Sequence, residues 1–141
     1  MMDHVVYLDR KAGELEKLLA GEKTMIVRGA AGRKLPYGRV NAGDELYFVE
    51  NNGDGLVRAR ACVKDVVLSD RLEPDDSRRL LASHQDKLQL TPAQVERWGG
   101  KRYLVLVEIE ELQVVDPFRI DRSAYGNMDD WLPVEDIQSV R

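Results

Sequence analysis

Between Lys23 and Arg39 the chain places five cations, Lys23, Arg28, Arg33, Lys34 and Arg39, and no carboxylate. The whole 141-residue chain has a net charge of −4, so the other 124 residues carry nine net negative charges. A positive segment on an acidic body concentrates its field locally and attracts phosphate-bearing ligands with an affinity that salt weakens. Inside the segment, Gly29-Ala30-Ala31-Gly32 precedes Arg33-Lys34. Backbone amides of such a loop approach phosphate closely. The same Gly-x-x-Gly spacing also serves as a plain turn, and the glycine, lysine and hydroxyl spacing of a P-loop is absent. Tyr37 either stacks on a base or lies flat over a sheet. Arg58 and Arg60 could widen the patch. The competing reading of the segment is a solvated loop that keeps the protein soluble.

Groups for catalysis are few. Lys23 beside Thr24 offers an amine and a hydroxyl. The carboxylate pairs Asp75-Asp76 and Asp129-Asp130 fit helix capping better than acid/base work. No Gly-x-Ser-x-Gly elbow occurs, and neither His4 nor His84 has a serine partner in sequence. Cys62, the single cysteine, reads as a buried small side chain rather than a reactive thiol. No Cys/His cluster has zinc spacing, so neither a metal nor a cofactor is expected.

The elements that must position these residues follow from periodicity. Val5 to Leu8 is β-branched and aromatic and predicts a strand. Leu15, Leu18 and Leu19 recur at helical spacing, with Gly21 as terminator. Thr24 to Val27 predicts a second strand, followed by a loop over 29–39. A turn at 40–44 leads into a strand at 45–49. Asn51-Asn52-Gly53-Asp54-Gly55 predicts a hairpin, because these residues tolerate positive φ. The return strand, 56–68, alternates: Val57, Ala59, Ala61 and Val63 face one way, and Arg58, Arg60, Cys62 and Lys64 the other. Residues 70–98 are helical. Pro74 suits a first turn, and Thr91-Pro92 pairs an N-cap with a first helical residue. Tyr103 to Ile109 is a nearly continuous apolar strand and therefore central. Tyr125, Trp131, Leu132 and Ile137 predict that the tail packs back, with the two aromatics as anchors rather than a stacking platform.

The run Leu18 to Arg28 resembles the signature of the ASCH domain family, small β-barrel domains of the PUA-like superfamily, in which a helix end is followed by Gly-x-Lys-x-x-Glu-x-Arg. Gly21, Lys23 and Arg28 match it, and Ile26 stands at the acidic position. Asn41-Ala42-Gly43-Asp44-Glu45-Leu46 looks like the family's Gly-Asp element, and Val57 to Val66 resembles its returning strand. The likeness spans roughly residues 4 to 110. Some members are amidohydrolases acting on acetylated cytidine through a lysine, a hydroxyl or carboxylate, and a glutamate of the helical insertion. Here Lys23 matches the first and Asp86 loosely the third, but Ile26 can neither take nor give a proton. The resemblance also implies a basic cleft for RNA or modified bases.

The expectations are therefore these. The fold is α+β, a small, mainly antiparallel β-barrel of PUA-like type with flanking short helices. It forms one domain over 1–141, with 111–141 a C-terminal extension packed on the barrel. Its length and 43% hydrophobic content suffice for a core without staples. The function is binding of RNA or a nucleotide. Lys23 and Arg28 line the cleft, Arg33, Lys34 and Arg39 hold phosphates, Gly29 and Gly32 permit close approach, and Tyr37 stacks. The alternative is a small amidohydrolase acting on a modified nucleoside, with Lys23, Thr24 and Asp86 as candidates. No apolar run reaches the ~18 residues a membrane helix needs. The start lacks an apolar signal region, so a cytoplasmic protein is expected, and a monomer is assumed.

Overall fold

The computed structural model describes residues 1–126 and 129–141. In chain order it has β1 (Asp3–Leu8), α1 (Glu14–Leu19), β2 (Met25–Ala30), β3 (Glu45–Glu50), β4 (Leu56–Leu68), α2 (Pro74–Ser83), α3 (Gln85–Leu88), α4 (Pro92–Trp98), β5 (Tyr103–Arg119), β6 (Trp131–Glu135) and a closing 3₁₀ turn, Ile137–Val140. The strands form one mixed sheet in the order β2-β5-β4-β3-β1-β6. β1 and β3 pair in parallel, and the other neighbours are antiparallel. The sheet curls into a half-barrel with β2 and β6 as its edges, and short helices flank it.

Strand alternation sorts the side chains into an inside and an outside. Inside, Val6, Leu8, Ile26, Phe48, Ala61 and Val107 pack with Trp131. Outside, Met25, Val27, Leu104 and Leu106 meet Leu81, Leu88 and Trp98 of the helices. A third cluster seats Ile137 and Val140 of the tail on Val5, Tyr47 and Val49. On β4 the alternation is as expected: Val57, Ala59, Ala61 and Val63 are buried, and Arg58, Arg60 and Cys62 are half-buried.

Helix limits follow local chemistry. Gly21, at φ +77°, ends α1 where a left-handed residue is needed. At α4, the Thr91 hydroxyl accepts from Gln94 N and the Gln94 side chain accepts from Thr91 N, a reciprocal capping box. β5 lies between β2 and β4, as its apolar run predicts.

Three expectations need correction. The segment after β2 does not begin as a loop at Gly29, because Gly29 and Ala30 still pair with Leu104 and Tyr103. The boundary at residue 111 falls inside β5, which runs on to Arg119 with Glu111 at φ +55°. The tail does more than pack back: its Trp131–Glu135 stretch is an edge strand on β1, and Trp131 is fully buried. Among the described residues no helix is long and apolar enough to cross a membrane.

Candidate nucleic-acid interface

Arg28 shares the inward face of β2 with Ile26, so the pleat that buries Ile26 also carries a guanidinium into the mouth of the half-barrel. Its side chain is 8% exposed. Nη1 donates to the Val27 carbonyl at 2.8 Å and Nη2 to the Tyr7 carbonyl at 2.7 Å. The ring centroids of Trp98 and Trp131 lie 5.8 and 5.7 Å from its Cζ. A buried charge is tolerated when hydrogen bonds and aromatic faces replace its water.

Arg28 forms the inner wall of an open cleft of about 640 Å³. Residues 29–32, Lys34, Arg97, Trp98, Lys101, Asp129 and Asp130 also line it. Lys34, Arg97 and Lys101 are exposed. Arg97 lies over the Trp98 ring at 4.3 Å. Its Nη2 is 3.9 Å from Asp130 Oδ2, the atom that also sits 3.2 Å from Arg28 Nε. A second, smaller cavity of about 110 Å³ shares Arg28, Arg97, Trp98 and Asp130 with the cleft and is also lined by Tyr7, Asp9, Glu14, Asn51 and Gln94.

The sequence-derived candidates divide. Arg28, Gly29, Gly32 and Lys34 all line the cleft. Tyr37 lines a small hollow beside it, donates its hydroxyl proton to the Ser69 carbonyl at 2.6 Å, and meets Tyr103 edge-on. Arg33 stacks over both rings, 5.7 Å from Tyr37 and 5.5 Å from Tyr103. Arg39 does not line the cleft, and its charge bears on His4 instead. Gly29 is glycine for packing, since a Cβ there would lie 2.7 Å from Leu104 Cδ2. A Cβ on Gly32 would meet nothing within 4 Å.

Lys23 corrects the expectation most sharply. It is 1% exposed and does not line the cleft. Its Nζ lies 3.4 Å from Glu14 Oε2 and donates to the Leu88 carbonyl. Burial pulls its pKa below the ordinary 10.5, with Glu14 opposing. Asp86 is exposed on α3, and Thr24 is half-buried with its backbone bonded to Lys87 and Ile109. Among the described residues no hydrogen bond or ion pair joins the side chains of Lys23, Thr24 and Asp86. Nor do Arg58 and Arg60 widen the patch: they pair with Asp54 at 2.8 Å and Glu45 at 3.5 Å. Cys62 is half-buried rather than buried, and burial with nearby Glu45 and Glu110 raises its thiol pKa.

Sequence reasoning missed Arg97, Trp98 and Lys101. Their signal was present as cation-aromatic-Gly-Gly-cation, but it served only to end a helix. Asp130 and Glu14 carried no signal beyond charge. Among the described residues no cluster of His, Cys, Asp or Glu could hold a metal.

No protein-family model matches the sequence, and neither does any curated protein. Solved structures do match. An ASCH protein from Zymomonas mobilis aligns with a TM-score of 0.70 at 14% identity, over 97% of this chain and 90% of its own. Two single-substitution variants of that protein align with TM-scores of 0.69 and 0.67 at 14% identity, each over 97% of this chain, and over 93% and 91% of their own. The chain therefore has the fold of these ASCH structures, an α+β half-barrel, with the basic cleft at its mouth.

Proposed function

We propose that the protein binds single-stranded RNA or a nucleotide in the cleft at the mouth of the half-barrel. The observation that carries this reading is the convergence of Arg28, Lys34, Arg97 and Lys101, from two separated stretches of sequence, on one cleft of an otherwise acidic protein. Such segregation gives an attractive field for phosphate where the rest of the surface repels it. A shallow mouth with backbone and cations suits the exposed backbone of a single strand better than a duplex groove. All four cations come from one chain, so the same proposal has a monomer bind, and its setting is the cytoplasm.

The amidohydrolase reading keeps Lys23 alone of its three candidates as a buried, paired group, and Ile26 is sealed in the core. Turnover of acetylated cytidine by the unaltered protein would revive it.

Fluorescence anisotropy with a labelled single-stranded RNA tests the binding reading. The K34A/R97A/K101A variant leaves Arg28 in place. The unaltered protein should bind at low salt and lose roughly tenfold or more on reaching physiological salt, and the variant should bind far more weakly with a shallower salt slope. Equal binding by the two proteins, or none by either, would overturn the proposal.

A further inference from the structure

Asp130 is the anion shared by two arginines of the basic mouth. Its Oδ2 lies 3.2 Å from Arg28 Nε and 3.9 Å from Arg97 Nη2. The first contact is poorly directed: Arg28 Nε is sealed from solvent yet makes no hydrogen bond, although the other two guanidinium nitrogens do. The carboxylate thus supplies charge at that nitrogen without an aligned acceptor. It is also free to leave. The Asp130 side chain is 40% exposed, while its backbone is fixed by the bond from Tyr7 N to the Asp130 carbonyl at 2.9 Å. A rotamer change alone would clear the position.

We propose that Arg28 and Arg97 form a phosphate subsite that Asp130 occupies as an internal stand-in, and that a ligand phosphate takes its place. The proposal rests on the RNA- or nucleotide-binding reading for its ligand class. The shared chemistry is a phosphate oxygen, from either a terminal monoester or a backbone diester. A tetrahedral phosphate presents several acceptor oxygens, so one can align with Arg28 Nε while another meets Arg97. Removing the resident carboxylate should therefore strengthen phosphate binding, whereas removing other acidic charge should not.

The test follows the side-chain N–H signals of Arg28, Arg97 and Trp98 by NMR during titration with inorganic phosphate. It compares the unaltered protein with D130N and D129N, which lose the same charge at neighbouring positions of the cleft lining. Phosphate should move all three signals, and D130N should bind about tenfold more tightly, with D129N close to unaltered. Silence at these signals, no gain in D130N, or equal gains in D129N and D130N would each overturn the proposal. Should D130N not fold, R97Q decides, because a phosphate response retained at Arg28 in R97Q contradicts the subsite. Adenosine 5′-monophosphate and an adenosine dinucleotide lacking terminal phosphate separate the sources: monoester capture favours the first, diester capture the second. Phosphate binding without RNA binding would sustain the subsite and defeat the RNA reading. RNA binding that D130N leaves unchanged would do the reverse.

Discussion

Arg28 Nη2 donates to the Tyr7 carbonyl at 2.7 Å and so ties β2, one edge of the sheet, to β1, next to the other edge. No backbone ladder joins these strands. The residue at the centre of the basic mouth is thus also a tie across the open side of the half-barrel. R28A removes that tie and leaves two carbonyls, on Tyr7 and Val27, without their donor. Urea unfolding should show a loss of about 2–4 kcal/mol. R28K should recover only part of it, since one ammonium cannot span both carbonyls with the fixed geometry of a fork. A loss below about 0.5 kcal/mol for R28A would contradict the bridging role.

Lys23 and Glu14 form a buried pair, 1% and 4% exposed. Truncating either, as K23M or E14Q, should cost about 3–5 kcal/mol because the partner is stranded away from water. The double variant should be more stable than the sum of the single losses predicts, and a double-mutant cycle on urea midpoints measures that coupling. Simple additivity would mean that the two side chains act independently.

His4 gives a pH dependence with a defined sign. It is fully buried, its Nε2 meets Asp44 Oδ2 at 2.9 Å, and the Trp131 indole N–H bonds to Nδ1 at 3.0 Å. That last bond requires an unprotonated Nδ1. Burial lowers the folded-state pKa below the ordinary 6.5, against the opposing pull of Asp44. The unfolded chain therefore takes up the proton first as pH falls. Stability should be complete above pH 6.5 and decline below it until the folded-state pKa is passed. Asp44 extends the decline. Burial raises its pKa, but bonds from His4, Met2 N and Asn41 N outweigh this and hold it below 3.8, so its contribution fades as pH drops through that range. Urea midpoints from pH 8 to pH 5 should fall for the unaltered protein and fall less for H4Q. Parallel curves would contradict the assignment to His4.

Two glycines of the basic segment should respond differently. G29A places a methyl 2.7 Å from Leu104 Cδ2 and 3.2 Å from Lys101 Cβ, so overpacking should cost about 1–3 kcal/mol. G32A meets no atom within 4 Å and should leave the thermal midpoint unchanged. If a ligand phosphate approaches the backbone there, G32A weakens binding alone. Equal thermal midpoints for both variants would contradict the packing account of Gly29.

Much of this arrangement was legible in the sequence because it rests on local patterns. Alternation along β4, the apolar run of β5 and the Thr91-Pro92 start of α4 depend only on neighbours within a few residues. The basic segment was legible for the same reason, and Arg28 and Lys34 do reach the cleft. What composition could not show was direction. Lys23 precedes β2 by two positions and turns inward to Glu14, whereas Arg97 and Lys101, more than sixty residues after Arg28, complete the mouth. Proximity between such distant residues is created by sheet order, which periodicity does not encode. The same holds for Trp131, which reads as an isolated tail aromatic until its indole is placed against His4.

The sheet order also sets a sequence of events for a chain emerging from a ribosome. β1 is made before the other strands of the sheet, yet one of its two neighbours is β6, and the indole bond between them joins residues 127 positions apart. Until Trp131 emerges, the inner face of β1 lacks its largest packing partner. Contacts of such long range close slowly, because the intervening chain must be ordered before they form. Asp130 arrives with Trp131, so every cation of the basic mouth is synthesised before the carboxylate that sits between Arg28 and Arg97.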